Sequence, residues 1–111
     1  MRCAPHDHGY AAGTVYLVRG RFVERTWRKH DGALEVIATR TFVGPCRVPV
    51  GAGDIHDMYA VDGGVSLHVY RPSIQHMRVF DLARRETLTV ADDCGAWVPS
   101  REDQVIARER W

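Results

Sequence analysis

The sequence predicts an all-β domain of the double-sheet jelly-roll or small-barrel kind. Three observations carry that expectation. Short runs rich in Val, Thr, Phe and Tyr recur at close intervals from Gly13 onward, Gly, Pro and Asp-Gly turn signals separate them, and no 3.6-residue apolar stripe interrupts them before the last few residues. With 111 residues the chain is a single domain over 1–111, large enough to bury a core but with little room for a second one.

Thr14 to Val18 reads as the first strand, stopped at Arg19-Gly20. Arg21 to Arg28 alternates, with Val23, Arg25 and Trp27 on one face and Phe22, Glu24 and Thr26 on the other. Asp31-Gly32 is a strong hairpin pair that returns the chain as Ala33 to Val43. Gly44-Pro45 ends this strand, Cys46 to Val50 forms a short one, and the Gly51–Asp54 turn leads into Ile55 to Ala60. Asp62-Gly63-Gly64 is expected to turn the chain into a separate strand, Val65 to Tyr70. Its period of two sets Val65, Leu67 and Val69 on one face against Ser66, His68 and Tyr70 on the other. Beyond the break at Arg71-Pro72-Ser73, Met77 to Asp81 and Glu86 to Ala91 are two more strands joined by a polar loop. Ser100 followed by Asp103 resembles a helix cap, so Arg101 to Arg110 reads as a short C-terminal helix.

Fifteen Lys and Arg against fourteen Asp and Glu give a net charge of +1, and the Arg residues are scattered. That excludes an electrostatic footprint for nucleic acid or for a membrane surface. No run of about 18 apolar residues occurs, nor the apolar stretch of a secretory signal, so the expectation is a soluble, cytoplasmic protein, monomeric or weakly dimeric. The three cysteines, Cys3, Cys46 and Cys94, are odd in number and widely spaced, which points to reduced thiols.

The residues that carry chemistry begin with Pro5-His6-Asp7-His8-Gly9. Two imidazoles one residue apart on an extended backbone lie on the same side, their Cα atoms roughly 6.5 Å apart, and together suit one cation. His56 supplies a third, and Ser66, His68 and Tyr70 share a strand face. Asp7 and Asp57, each beside a candidate ligand, point the opposite way and are expected to support or be solvated rather than to coordinate. His30, beside the hairpin turn, and His76, after the strand break, are expected on the surface. Cys3 with His6 and His8 leaves open a Cys/His/His zinc site.

His6-x-His8 with Gly20 twelve residues on resembles the first cupin motif, and Gly53-x-x-His56 the core of the second. The string Ser66-Leu67-His68-Val69-Tyr70-x-Pro72, followed by Met77 and Phe80-Asp81, is similar to the signature of the cysteine dioxygenase branch of cupins, and the likeness runs from about Ala4 to Asp81. The resemblance implies a cupin double-stranded β-helix in which His6, His8 and His56 hold a non-haem Fe(II). Tyr70, His68 and Ser66 would serve catalysis, Tyr70 acting on the iron-bound groups, His68 donating to Tyr70, and Ser66 anchoring His68. It implies an iron-dependent thiol dioxygenase that oxidises cysteine, or a related small thiol such as 3-mercaptopropionate, with O2 to its sulfinic acid. Gly13 stands where ordinary cupins often place a Glu ligand and where the animal enzymes carry a Cys crosslinked to the Tyr, so neither feature is expected. The family's N-terminal helical segment, with its carboxylate-binding Arg, has no counterpart here, and Arg2 is too near His6 to take that part. Family members read Ser-Pro-Pro after the Tyr; here Arg71-Pro72-Ser73 stands there. The alternative is a non-catalytic or degenerate metal-binding cupin module without the clamp.

Overall fold

The computed structural model of the chain describes residues 3–111. All its regular structure beyond one 3-10 turn is β, in seven strands: β1 (Ala12–His30), β2 (Ala33–Val43), β3 (Cys46–Val50), β4 (Ile55–Arg71), β5 (Arg78–Asp81), β6 (Glu86–Val90) and β7 (Val105–Arg110). Every pairing between them is antiparallel. The all-β expectation holds, and three elements differ from it.

The two strands expected over 14–18 and 21–28 are one 19-residue strand, β1. The two expected over 55–60 and 65–70 are likewise one, β4, and the pair run side by side from Ala12↔Arg71 to Trp27↔Ile55. Gly20, read as a strand stop, and Gly63-Gly64, read as a turn, are bends within this ladder. Gly20 stands opposite Gly64, with the register shifting on either side of it. A Cβ on Gly64 would lie 2.7 Å from the Arg19 carbonyl oxygen and 2.8 Å from the Phe22 ring, so only glycine lets the strands approach and bend here.

The third difference is the C-terminus. Glu102–Gln104 makes a single 3-10 turn and Val105–Arg110 pairs with β6 as β7. A strand satisfies the free edge of β6 along its length, which a helix cannot do, and that outweighs a weak cap signal. The hairpin at Asp31-Gly32 is as expected, both residues having positive φ and His30 pairing with Ala33.

β1 is the spine of the first sheet. Its N-terminal half lies between β3 and the end of β4, its C-terminal half between β2 and the start of β4. β5, β6 and β7 make the second sheet. Each carries its own apolar cluster: Val15, Leu17, Phe22, Val48 and Val50 in the first, Val79, Leu88, Val90 and Cys94 in the second. Between them runs Pro5–Asp7. His6 exchanges both backbone hydrogen bonds with His56 of β4 at 2.9 Å, while Phe80 N–H donates to the Pro5 carbonyl and Asp7 N–H to that of Arg78, both in β5.

Among the described residues no helix is long and apolar enough to cross a membrane. The three thiols are free, as expected. The outer face of β4 is uncovered, Leu67 being 59% exposed, with Val65 and Val69 only slightly less so.

The bend at Gly64 yields a direct prediction. Gly64→Ala should destabilise the fold by about 1–3 kcal/mol, because the new methyl meets backbone as well as the Phe22 ring. Urea denaturation read by Trp fluorescence will measure it.

Candidate metal centre

His6, His8 and His56 converge. One nitrogen from each ring lies within 4.8 Å of those of the other two, and the ring centroids are 4.9 Å (His6 to His8), 4.9 Å (His6 to His56) and 5.2 Å (His8 to His56) apart. All three are buried, at 5%, 3% and 3% exposure. The backbone explains the geometry. His6 and His56 are a hydrogen-bonded antiparallel pair, which sends both side chains to one face, and His8, two residues on from His6, follows to the same face.

The donor set fits a divalent transition metal. His6 Nδ1 bonds the Ala4 carbonyl oxygen at 2.7 Å, and His56 Nδ1 bonds Glu24 Oε2 at 2.9 Å. Each bond assigns the proton to Nδ1 and leaves Nε2 with its lone pair. His8 Nδ1 is buried with no hydrogen-bond partner, so a nitrogen of that ring has nothing in the protein to satisfy it. Burial lowers His6 to about 4, against the upward pull of its bond to Ala4. Burial, and then the neighbouring His6 and His56, lower His8 to about 3. Both rings are therefore neutral near pH 7, the state in which imidazole binds metal.

Cys3 is not in the cluster; its Sγ contacts the Met58 carbonyl oxygen at 3.5 Å, and burial raises its pKa, so the Cys/His/His arrangement gives way to three histidines. Asp7 and Asp57 point away from the cluster and are neither solvated nor unpaired. Asp7 accepts from Arg78 Nε at 2.6 Å and from the backbone N–H of Gly9 and of Arg78 at 3.1 Å. Asp57 accepts from Arg25 Nε at 3.0 Å and Trp27 Nε1 at 2.7 Å. His30 and His76 are exposed. Arg2, set aside as a carboxylate partner, lies outside the described residues.

Glu24 was not foreseen as part of the site. It is 2% exposed, bonds His56, and accepts from Arg40 at 2.9 Å. The signal for it was present: the alternation of β1 puts a carboxylate on the same face as Phe22, where only a partnered acid is tolerated.

Ser66, His68 and Tyr70 line the same cleft as the histidines, a cavity of about 1010 Å³. The Ser66 hydroxyl and His68 Nε2 share the expected hydrogen bond, at 3.0 Å. The bond expected from His68 to Tyr70 is not made. Their ring centroids are 6.3 Å apart, and the Tyr70 hydroxyl oxygen is buried without a partner. Two residues on one strand face share a direction, but their side-chain torsions remain free to part their tips. Tyr70 instead stacks on His8, centroids 4.4 Å apart and planes 22° apart. Burial, and then the Glu24 charge, push the Tyr70 phenol up to about 12, so it keeps its proton. Gly13 faces Tyr70 in the ladder, and a Cβ there would lie 2.7 Å from the Tyr70 ring.

A scan against models of protein families finds no match for this chain, and a comparison with curated proteins finds none either.

Two outcomes follow from this geometry. Glu24→Gln should weaken Co(II) or Fe(II) binding by about 10- to 100-fold, measured by competition with a chromophoric chelator, because a neutral amide is a weaker acceptor for the His56 Nδ1 proton than the carboxylate. The metal-free protein should be stable above pH 6.5 and lose roughly 1–3 kcal/mol per pH unit as the pH falls from 6.5 toward 4. The sign is set by the depressed values of His6 and His8, whose rings take up protons in the unfolded chain before they do in the folded one. Urea midpoints across that range will test it.

Proposed function

We propose that this chain is a cupin-type thiol dioxygenase that holds Fe(II) on His6, His8 and His56 and converts a thiol and O2 into a sulfinic acid. The observation that carries the reading is the convergence of three buried imidazoles in a cleft that also presents a protonated, unbonded phenol. The Ser66-Leu67-His68-Val69-Tyr70 string points to the same chemistry, and two antiparallel sheets joined across Pro5–Asp7 support a double-stranded β-helix.

Overall, RSH and O2 give RSO2H: both oxygen atoms end on sulfur, which loses the four electrons that O2 gains, and no outside reductant is needed. Fe(II), when bound, supplies a Lewis-acidic centre that favours thiolate at neutral pH and activates O2. The protein's part is to hold charge and protons in place. Imidazole bound through its lone pair is an uncharged ligand, so three of them would leave the metal's charge for the substrate to balance. Asp7 and Asp57 are turned away and paired with Arg78 and Arg25. Tyr70 keeps its hydroxyl proton and offers it to whatever polar atom enters beside His8. The Ser66 hydroxyl shares a hydrogen bond with the His68 ring, which lines the solvent-exposed part of the cleft. A metal-holding cupin module without turnover is the competing reading, and the separation of His68 from Tyr70 favours it.

Iron-loaded protein given a panel of charged and uncharged thiols in air should consume O2 and release the sulfinate in equal amounts. Iron retention with no O2 uptake from any thiol would select the non-catalytic module. Tyr70→Phe should lower kcat by about 100-fold while iron content is unchanged, as measured by oxygen electrode and metal analysis.

A further inference from the structure

The walls of the cleft carry information about the body of the substrate. Beyond the histidines and the polar groups of Cys3, Ser66 and two tyrosines, they are mostly apolar, with Phe22, Met58, Ala60, Ile74, Met77 and Trp97. Among the described residues, no Lys, Arg, Asp or Glu contributes to them. The carboxylates beside the cluster are already engaged, Asp7 by Arg78, Asp57 by Arg25, and Glu24 by Arg40 and His56. A substrate carboxylate seated against these walls would find no described Lys or Arg to pair with, and an ammonium no Asp or Glu. Thioether and aromatic walls, by contrast, adapt to apolar bodies of varied shape. A cavity of about 1010 Å³ has room for much more than an amino acid.

We propose that the thiol taken here has an uncharged, apolar body larger than that of cysteine, an alkyl or aryl group seated against Met58, Ile74, Met77 and Trp97. This rests on the thiol dioxygenase reading and names the substrate class within it. The thiolate then carries the substrate's single charge, at the one point where the metal balances it. The rest of the molecule gains by leaving water, in proportion to the apolar area it buries.

The test is binding rather than turnover. The full chain, loaded with Co(II) without O2, is titrated with 2-phenylethanethiol, 1-butanethiol and 3-mercaptopropionate, and the thiolate-to-cobalt charge-transfer band is followed. The last two have thiols of similar acidity, so they differ chiefly in the charge of the tail. The expected order is 2-phenylethanethiol tightest, then 1-butanethiol, with 3-mercaptopropionate weaker than 2-phenylethanethiol by about tenfold or more. Met77→Arg or Ile74→Arg, whichever retains Co(II), adds a cation to the wall and should shift the ratio toward 3-mercaptopropionate by about tenfold. Equal or tighter binding of 3-mercaptopropionate by the unaltered protein overturns the proposal and leaves the thiol reading standing. A ratio unmoved by the added Arg also overturns it. No charge-transfer band with any of the three overturns the thiol reading itself.

Discussion

The pair of backbone hydrogen bonds between His6 and His56 does two things at once. Each residue donates its N–H to the other's carbonyl at 2.9 Å, which ties the Pro5–Asp7 segment to β4. The other edge of that segment bonds β5 through Pro5 and Asp7. A net contribution of about 1 kcal/mol for each such bond is modest. The constraint lies in the geometry, because the residues that join the two sheets are also the candidate ligands. A metal on the three rings would clamp the same seam from the side-chain direction. Folding of the sheets against one another and assembly of the cluster are therefore one event, which is the usual way a metal site adds to stability.

Electrostatics around the cluster follow a consistent pattern. Asp7, Glu24 and Asp57 are buried within reach of the imidazoles, and a buried carboxylate is tolerated only when it is fully engaged. Each is engaged by a different route: Asp7 by Arg78 and two backbone N–H groups, Asp57 by Arg25 and the Trp27 indole, Glu24 by Arg40 and His56. None of them appears in the ligand set. The protein thus offers a cation three imidazole nitrogens and keeps its anions at one remove, where Glu24 orients the His56 ring without itself being a ligand.

The pattern of residues made the strands and the cluster legible for a simple reason. A period of two is a local property, so His6-x-His8 and Ser66-x-His68-x-Tyr70 each declare a shared face without knowledge of the fold. What stayed hidden depends on partners distant in sequence. Gly20 reads as a stop and Gly64 as part of a turn, and only their facing one another in the ladder makes them a bend between continuous strands. Val105–Arg110 became a strand because β6 had an edge to fill, which the terminal residues alone do not reveal. Glu24 was visible as a charge on an inward face, but its role required His56 to lie across the ladder. The His68 to Tyr70 bond failed for the opposite reason: a common face fixes direction, while side-chain torsions decide contact.

The lack of that bond does not leave Tyr70 loosely held. Its backbone is paired with Gly13, where the missing Cβ makes space against which the phenol ring lies. It also stacks on His8, itself buried. The ring is thus positioned by packing, and no hydrogen bond is spent on orienting it. In a residue meant only to complete a core, a buried hydroxyl without an acceptor is a net cost, and phenylalanine would serve better. Placed beside neutral imidazoles, and with burial keeping its proton on, the same hydroxyl becomes a donor whose direction is fixed before any acceptor arrives, the condition under which a hydrogen bond contributes most to a developing negative charge.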